Sequence, residues 1–225
     1  MGFPHTSVLD DFDRANSSTT IGGDWTMFMR SAGSYDMGIS SNQAYNPDAE
    51  YNGLIYDAAQ YGPDCEVYVT VATLPDLDSV GLKLYARLKD VTVDAWNYDG
   101  YRILFYPYAS GGTKISLNIC RVDDSVETQL GASVQGFAGA NGDKFGMRLR
   151  GSTIDGWFQS SGGSWELKLT RTDATYGAAG YLGFYSGSES TWRMDDFGGG
   201  SLGRGLPVIS DGGIHSLVFG GVTVR

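Results

Sequence analysis

The side chains in this chain with the strongest claim to chemistry are carboxylates. The triplet Asp10-Asp11-Phe12 near the start recurs as Asp195-Asp196-Phe197 near the end. In a strand alternate residues share a face, so Asp10 points with Phe12 and Asp195 with Phe197. A carboxylate beside a buried aromatic needs a donor or a cation, because burying it unpaired is costly. Oxygen ligands from Asp10, Asp11, Asp195 or Asp196 would suit Ca²⁺. The alternative is that these aspartates accept backbone N–H bonds at strand ends or pair with Arg14 or Arg193; the spacing of known calcium loops is absent. Two further acidic clusters, Asp76-Leu77-Asp78 and Asp123-Asp124-Ser125-Val126-Glu127, read as turns and offer no pair of carboxylates on a strand. The two histidines, His5 and His215, fall in terminal segments. A serine or metal hydrolase constellation therefore has nothing to build on.

A second set of residues suits binding to sugars. A pyranose needs a flat apolar face to stack on and fork-like polar groups for its hydroxyls. Tyr85 and Arg87 alternate outward on one predicted strand. Trp96, Asn97, Tyr98 and Asp99 stand together in a predicted turn, where a tryptophan has no packing reason to be. Trp157 and Gln159 lie opposite Ile154, Gly156 and Phe158, and Trp192 falls in a late loop. The glycan-binding candidates are thus Tyr85, Arg87, Trp96, Asn97, Tyr98 and Trp157. For each aromatic the competing reading is a lid over a sheet edge or a protein interface. Trp25 and Trp165 are assigned to the core.

The elements that must position these groups are strands. Cys65-Glu66-Val67-Tyr68-Val69-Thr70-Val71 alternates strictly, which predicts one buried and one open face. Leu82, Leu84 and Ala86 alternate with Lys83, Tyr85 and Arg87, and Phe145, Met147 and Leu149 with Arg148 and Arg150. Hairpins are predicted across 110–112, across Asp123-Asp124-Ser125, and across 160–164. About a dozen short strands, with turn signals every 8–12 residues or so, define an all-β sandwich or barrel. The two Asp-Asp-Phe strands are expected to pair and close it.

Composition sets outer bounds. The chain has 225 residues, 33 glycines, 14 tyrosines and a net charge of −10. At this length an all-β domain can bury about 70% of its unfolded surface. The negative charge argues against a nucleic-acid surface. No run is long enough to span a membrane. The opening residues carry no basic region or apolar run, so no signal peptide is expected, and synthesis in a cytoplasm is. Cys65 and Cys120 point to different faces of their sheets, so both are expected as free thiols. The expected organisation is an arm at 1–7, a sandwich at 8–198 and a glycine-rich linker with a docking extension at 199–225. In that extension Leu217, Val218 and Phe219 would dock on another chain, with packing on the parent sandwich as the alternative.

The order of these pieces carries a resemblance. Asp-Asp-Phe-Asp-Arg, then Gly-Asp-Trp, alternating strands, a Trp-Phe hairpin and Gly-Tyr-Leu-Gly-Phe before Met-Asp-Asp-Phe resemble a concanavalin A-like jelly roll. More narrowly they resemble the laminin-G-like lectin/glucanase domains common in bacteriophage structural proteins, over residues 8–198. The resemblance implies a two-sheet antiparallel jelly roll in a virion component such as a minor tail protein, meeting other virion proteins and host-surface glycans. It also implies Ca²⁺ in many relatives. The glucanases of this fold carry Glu-x-Asp-x-x-Glu, which this chain lacks, so the expected function is non-enzymatic. A capsid decoration protein or a carbohydrate-binding module is the alternative, and a glycan-cleaving enzyme a third reading.

Overall fold

A computed structural model describes residues 2–30, 36–48, 50–74, 81–92, 96–108, 114–187 and 190–203. Asp76, Asp78, residues 110–112, His215 and the docking residues Leu217, Val218 and Phe219 lie outside the described residues.

The alternating segments form strands. In chain order these are β1 (Val8–Asp10), β2 (Trp25–Arg30), β3 (Gly38–Ser40) and β4 (Gln43–Tyr45). The longer β5 (Asn52–Tyr61), β6 (Cys65–Thr73), β7 (Leu82–Thr92), β8 (Asn97–Tyr108) and β9 (Lys114–Asp123) follow. Then come β10 (Val126–Gln129), β11 (Val134–Ala138), β12 (Asp143–Arg150) and β13 (Thr153–Gln159). β14 (Glu166–Thr172), β15 (Gly180–Ser186) and β16 (Arg193–Ser201) complete the set, and no helix occurs among the described residues.

Two antiparallel sheets face each other. One runs β14-β13-β12-β6-β16-β4-β3 with β1 beside β16; the other runs β10-β9-β8-β7-β15-β5-β2 with β11 on β9. We call them the β6 sheet and the β8 sheet. Val67, Val69 and Val71 with Phe145, Met147 and Leu149 meet Leu82, Leu84, Tyr101, Ile103, Phe105 and Leu117 in one continuous core. Interdigitation of period-2 apolar rows from two inner faces is what stabilises such a sandwich. The architecture is the expected two-sheet jelly roll.

The repeated triplets meet as expected. β1 pairs antiparallel with β16, matching Val8 with Gly198 and Asp10 with Phe197. β16 extends to Ser201, with Gly200 opposite Glu66 and Ser201 opposite Cys65. The Gly198–Ser201 stretch, expected to open a linker, is thus the end of a central strand. The Asp123–Val126 hairpin turns through Asp124 and Ser125, both with positive φ (46° and 65°), the backbone a tight two-residue hairpin needs. Cys65 lies in the core and Cys120 beside Asn118 on the other side of its sheet; both are buried and free.

Three expectations of exposure are corrected. The outward residues of β6, Glu66, Tyr68 and Thr70, are no more than 9% exposed. Residues 2–7 cross that face over Glu66 and Tyr68, and Asp196 engages Thr70, which a periodicity argument on β6 alone cannot see. Trp192, expected in an open loop, is fully buried near Phe105. Tyr85 and Arg87, expected outward, are also buried. For Arg87 the cause is local: its φ of 52° and a register shift between Ala86 and Lys89 break the alternation.

Candidate glycan-binding face

The outer face of the β8 sheet carries a half-buried charge network beside an aromatic rim. Lys83 on β7 and Arg102 on β8 flank Glu127 on β10. Lys83 Nζ is 2.6 Å from Glu127 Oε1, and Arg102 Nη2 donates to Oε2. Arg102 Nη1 donates to Asn118 Oδ1 on β9. Burial alone would raise the Glu127 carboxyl; the Arg102 hydrogen bond and charge, aided by Lys83, outweigh it and hold Glu127 below the usual carboxylate range. Burial lowers Lys83, with Glu127 opposing the shift. Glu127 is therefore a fixed anion that accepts from two cations at neutral pH.

The rim is built by strand ends brought together. Lys83 Nζ lies 4.7 Å over the Tyr185 ring of β15, its partner in register. Tyr51 stacks on Tyr185 at 6.2 Å and 11°. Trp96 meets Tyr51 edge-on at 6.4 Å. Tyr51 and Trp96 are each 41% exposed, two of the few large apolar side chains left open among the described residues. Trp96 is also held in place: its Nε1 donates to the Arg30 carbonyl at 3.0 Å, and the Trp96 carbonyl accepts from Ser125 Oγ. The β9–β10 turn fixes the neighbouring segment through Ser125 N to Tyr98 O at 3.0 Å and Asp124 N to Asp99 Oδ1 at 2.7 Å. An indole fixed by its polar atom and open on its ring is a preformed stacking surface.

The residues predicted to bind glycans are dispersed by this geometry. Trp96 and Asn97 stand exposed at the rim. Tyr98 is buried, packed edge-on against Phe28 at 5.0 Å and Tyr85 at 5.6 Å, so Tyr85 and Tyr98 support the rim from beneath. Arg87 is a strut: Nε donates to Pro63 O, and Nη1 to the Gly151 and Tyr176 carbonyls. Trp157 belongs to the β6 sheet, stacked under Phe3 at 5.1 Å and 3° with the Arg148 guanidinium 4.8 Å from its ring. Trp165 is there too, edge-on to Phe3 at 4.8 Å, and not in the sandwich core; Trp25 does pack against that core.

Sequence reasoning missed Tyr51, Arg102, Glu127 and Tyr185. Lys83 shared the outward phase of Tyr85, and that was the available signal. Glu127, expected in a turn, is on strand β10 opposite Val122.

The aspartates expected at a metal are engaged by protein donors. Asp10 accepts from Phe12 N at 2.8 Å, Trp25 Nε1 at 2.7 Å and Arg14 Nη2. Asp11 accepts from Asp13 N, and Asp195 from Asp196 N. Asp196 accepts from Thr70 Oγ1 at 3.2 Å and lies 3.5 Å from Lys144 Nζ. Burial raises the Asp195 carboxyl, and the charges of Asp196 and Asp11 add to the shift. Among the described residues no three His, Cys, Asp or Glu side chains gather into a set able to hold a metal. The alternative of backbone donors and Arg14 describes Asp10.

Neither protein-family models nor curated protein sequences match this chain. Solved structures do. The exoplasmic/lumenal domain of VIP36 in its Ca²⁺/Man3GlcNAc-bound form aligns with a TM-score of 0.54 at 15% identity, over 78% of this chain and 82% of that one. The carbohydrate-binding module CBM66 from Bacillus subtilis gives 0.50 at 11%, over 80% and 96%. The CBM2 module of the evolved Dit of Lactobacillus casei BL23 phage J-1 gives 0.55 at 10%, over 86% and 95%. At these identities the likeness shows the fold alone. That fold is a concanavalin A-like jelly roll, an architecture shared with lectins and carbohydrate-binding modules.

Proposed function

We propose that this chain is a non-enzymatic bacteriophage virion protein, a minor tail protein, whose jelly roll binds host-surface glycan at the Trp96 rim. One observation carries the binding site: Trp96, exposed and pinned, meets the exposed Tyr51 above Tyr185 beside the Lys83–Glu127–Arg102 network. A sugar ring stacked on Trp96 or Tyr51 would bring its hydroxyls within reach of Lys83 and Glu127, both partly exposed. Glu127 is held ionised and doubly engaged, so it cannot act as a proton donor near neutral pH, and this supports a binding role over glycan cleavage.

The phage assignment is supported by the likeness to the phage J-1 Dit module. The likeness to a bacterial carbohydrate-binding module supports the second reading, a binding module of the same fold outside a virion. In either reading recognition runs through the rim and not through a cation at Asp10. A sedimentation assay on host cell-wall polysaccharide tests the site. Full-length protein is expected to co-sediment and Trp96→Ala to remain soluble; absence of binding by the unmodified chain to every host fraction would remove the proposal. Immunogold labelling of purified particles tests the compartment, with label on the tail as the expected result.

A further inference from the structure

Beyond the Trp96 rim the outer face of the β8 sheet continues along β8. Ile103 and Phe105 enter the core, so Leu104, Tyr106 and Tyr108 leave that strand outward, and each is half-buried. The rim meets this row in register: Tyr185 pairs with Lys83, Lys83 with Leu104 and Leu104 with Asn118. Tyr106 stands opposite Ser116 and Tyr108 opposite Lys114 on β9, and β11 follows on the far side of β9. Tyr108 does not stand up from the sheet. Its Oη comes 3.9 Å from where a Cβ would sit on Gly136 of β11, so its ring is laid across the intervening β9. Ser116 on the crossed strand also faces outward yet is 4% exposed, which a ring laid over it explains. Leu104 leans the other way, over Gly81, where a Cβ would come within 2.3 Å of its Cδ1.

The face thus offers two aromatic stations, Trp96 with Tyr51 at one end and Tyr108 with Tyr106 at the other. Lys83, over the Tyr185 ring and in register with Leu104, joins them, with Glu127 beside it; both are partly exposed. Tyr108 is four positions along β8 from Leu104, about 14 Å at the ordinary rise of a strand. A single terminal sugar cannot touch both stations, whereas a chain of sugars can. The backbone groups of β8 and β9 are paired with each other in the ladder, so an extended peptide would not find here the main-chain partners that a sheet edge supplies. Rings and side-chain polar groups remain, and these suit stacked pyranoses and their hydroxyls. We infer, resting on the glycan reading of the rim, that the ligand is a linear polysaccharide held along its length, with Tyr108 and Tyr106 as a second stacking subsite remote from Trp96.

The test uses fragments of the polysaccharide that the unmodified chain retains in the sedimentation assay, prepared by partial hydrolysis and sorted by size. Calorimetric titration is expected to show affinity rising at least about tenfold from disaccharides to fragments that span about 14 Å. Tyr108→Ala should remove that gain and leave disaccharide affinity unchanged, which also shows that the variant folds. Tyr106→Ala should act likewise, and it decides the matter should Tyr108→Ala not fold. Trp96→Ala should weaken fragments of every length. Affinity independent of length, or a gain with length that survives both tyrosine variants, would overturn the second subsite and leave the rim standing. Retention of no polysaccharide at all would remove the glycan reading itself, and the second subsite with it.

Discussion

Asp10 and Phe197 stand opposite each other across the β1–β16 ladder, and Trp25 ties them together. The Trp25 indole N–H donates to Asp10 Oδ2 at 2.7 Å, and its ring meets Phe197 edge-on at 4.8 Å. The first and last strands are thus joined by main chain, by a hydrogen bond and by an aromatic contact. Asp10 also receives Arg14, so its charge is matched by protein groups.

Asp10→Ala is therefore expected to lower stability by about 2–3 kcal/mol, because Trp25 and Arg14 lose a charged acceptor. Millimolar Ca²⁺ or a chelator should leave the thermal midpoint of the unmodified protein unchanged. Thermal denaturation of both proteins in the two buffers checks this.

Trp96→Ala is expected to weaken glycan binding at least tenfold, about 1.4 kcal/mol, and Tyr51→Ala to act in the same direction. Trp96 also donates to the Arg30 carbonyl, so a stability cost of about 1 kcal/mol should accompany the loss. Calorimetric titration with host polysaccharide, beside urea denaturation, separates the two effects.

Glu127 sets an acid dependence. Its folded pKa is below the unfolded value, because Arg102 and Lys83 together outweigh the burial penalty. The stability it contributes is present in full above its unfolded pKa, about 4.3, and is lost as the pH falls through the lower folded value. Glu127→Gln should remove that part of the pH profile. It should also cost about 1–3 kcal/mol at pH 7 by leaving buried Arg102 and half-buried Lys83 without their anion. Urea denaturation between pH 3 and 7 reads both.

Arg87 joins three loops through the carbonyls of Pro63, Gly151 and Tyr176. A lysine cannot reproduce that fork. Arg87→Lys is expected to destabilise by about 2–4 kcal/mol while leaving glycan binding at the distant rim intact in the folded fraction.

Burial pushes the Cys65 thiol up to about 12 and also raises Cys120, in both cases against the pull of a neighbouring arginine. Neither thiolate forms at neutral pH in the folded chain. A maleimide should label neither residue in buffer and both in concentrated urea, as mass spectrometry would show.

The sequence alone determined the all-β class, the inner rows of both sheets, the opposite facing of Cys65 and Cys120, and the pairing of the two Asp-Asp-Phe strands. Those features follow from a period of two along single strands and from a motif repeated at the two ends, both of them properties of local order. Tertiary structure decided what covers each outer face. Glu66 and Tyr68 alternate as solvent residues should, yet a segment some sixty positions earlier lies over them. Arg87 follows the same outward phase until a bulge turns it inside. Tyr51, Lys83, Trp96, Glu127 and Tyr185 are scattered along the chain and become one surface only when β5, β7, β8, β10 and β15 share a sheet. Alternation states which side of a strand a residue leaves from; only packing between distant segments decides whether water is waiting there.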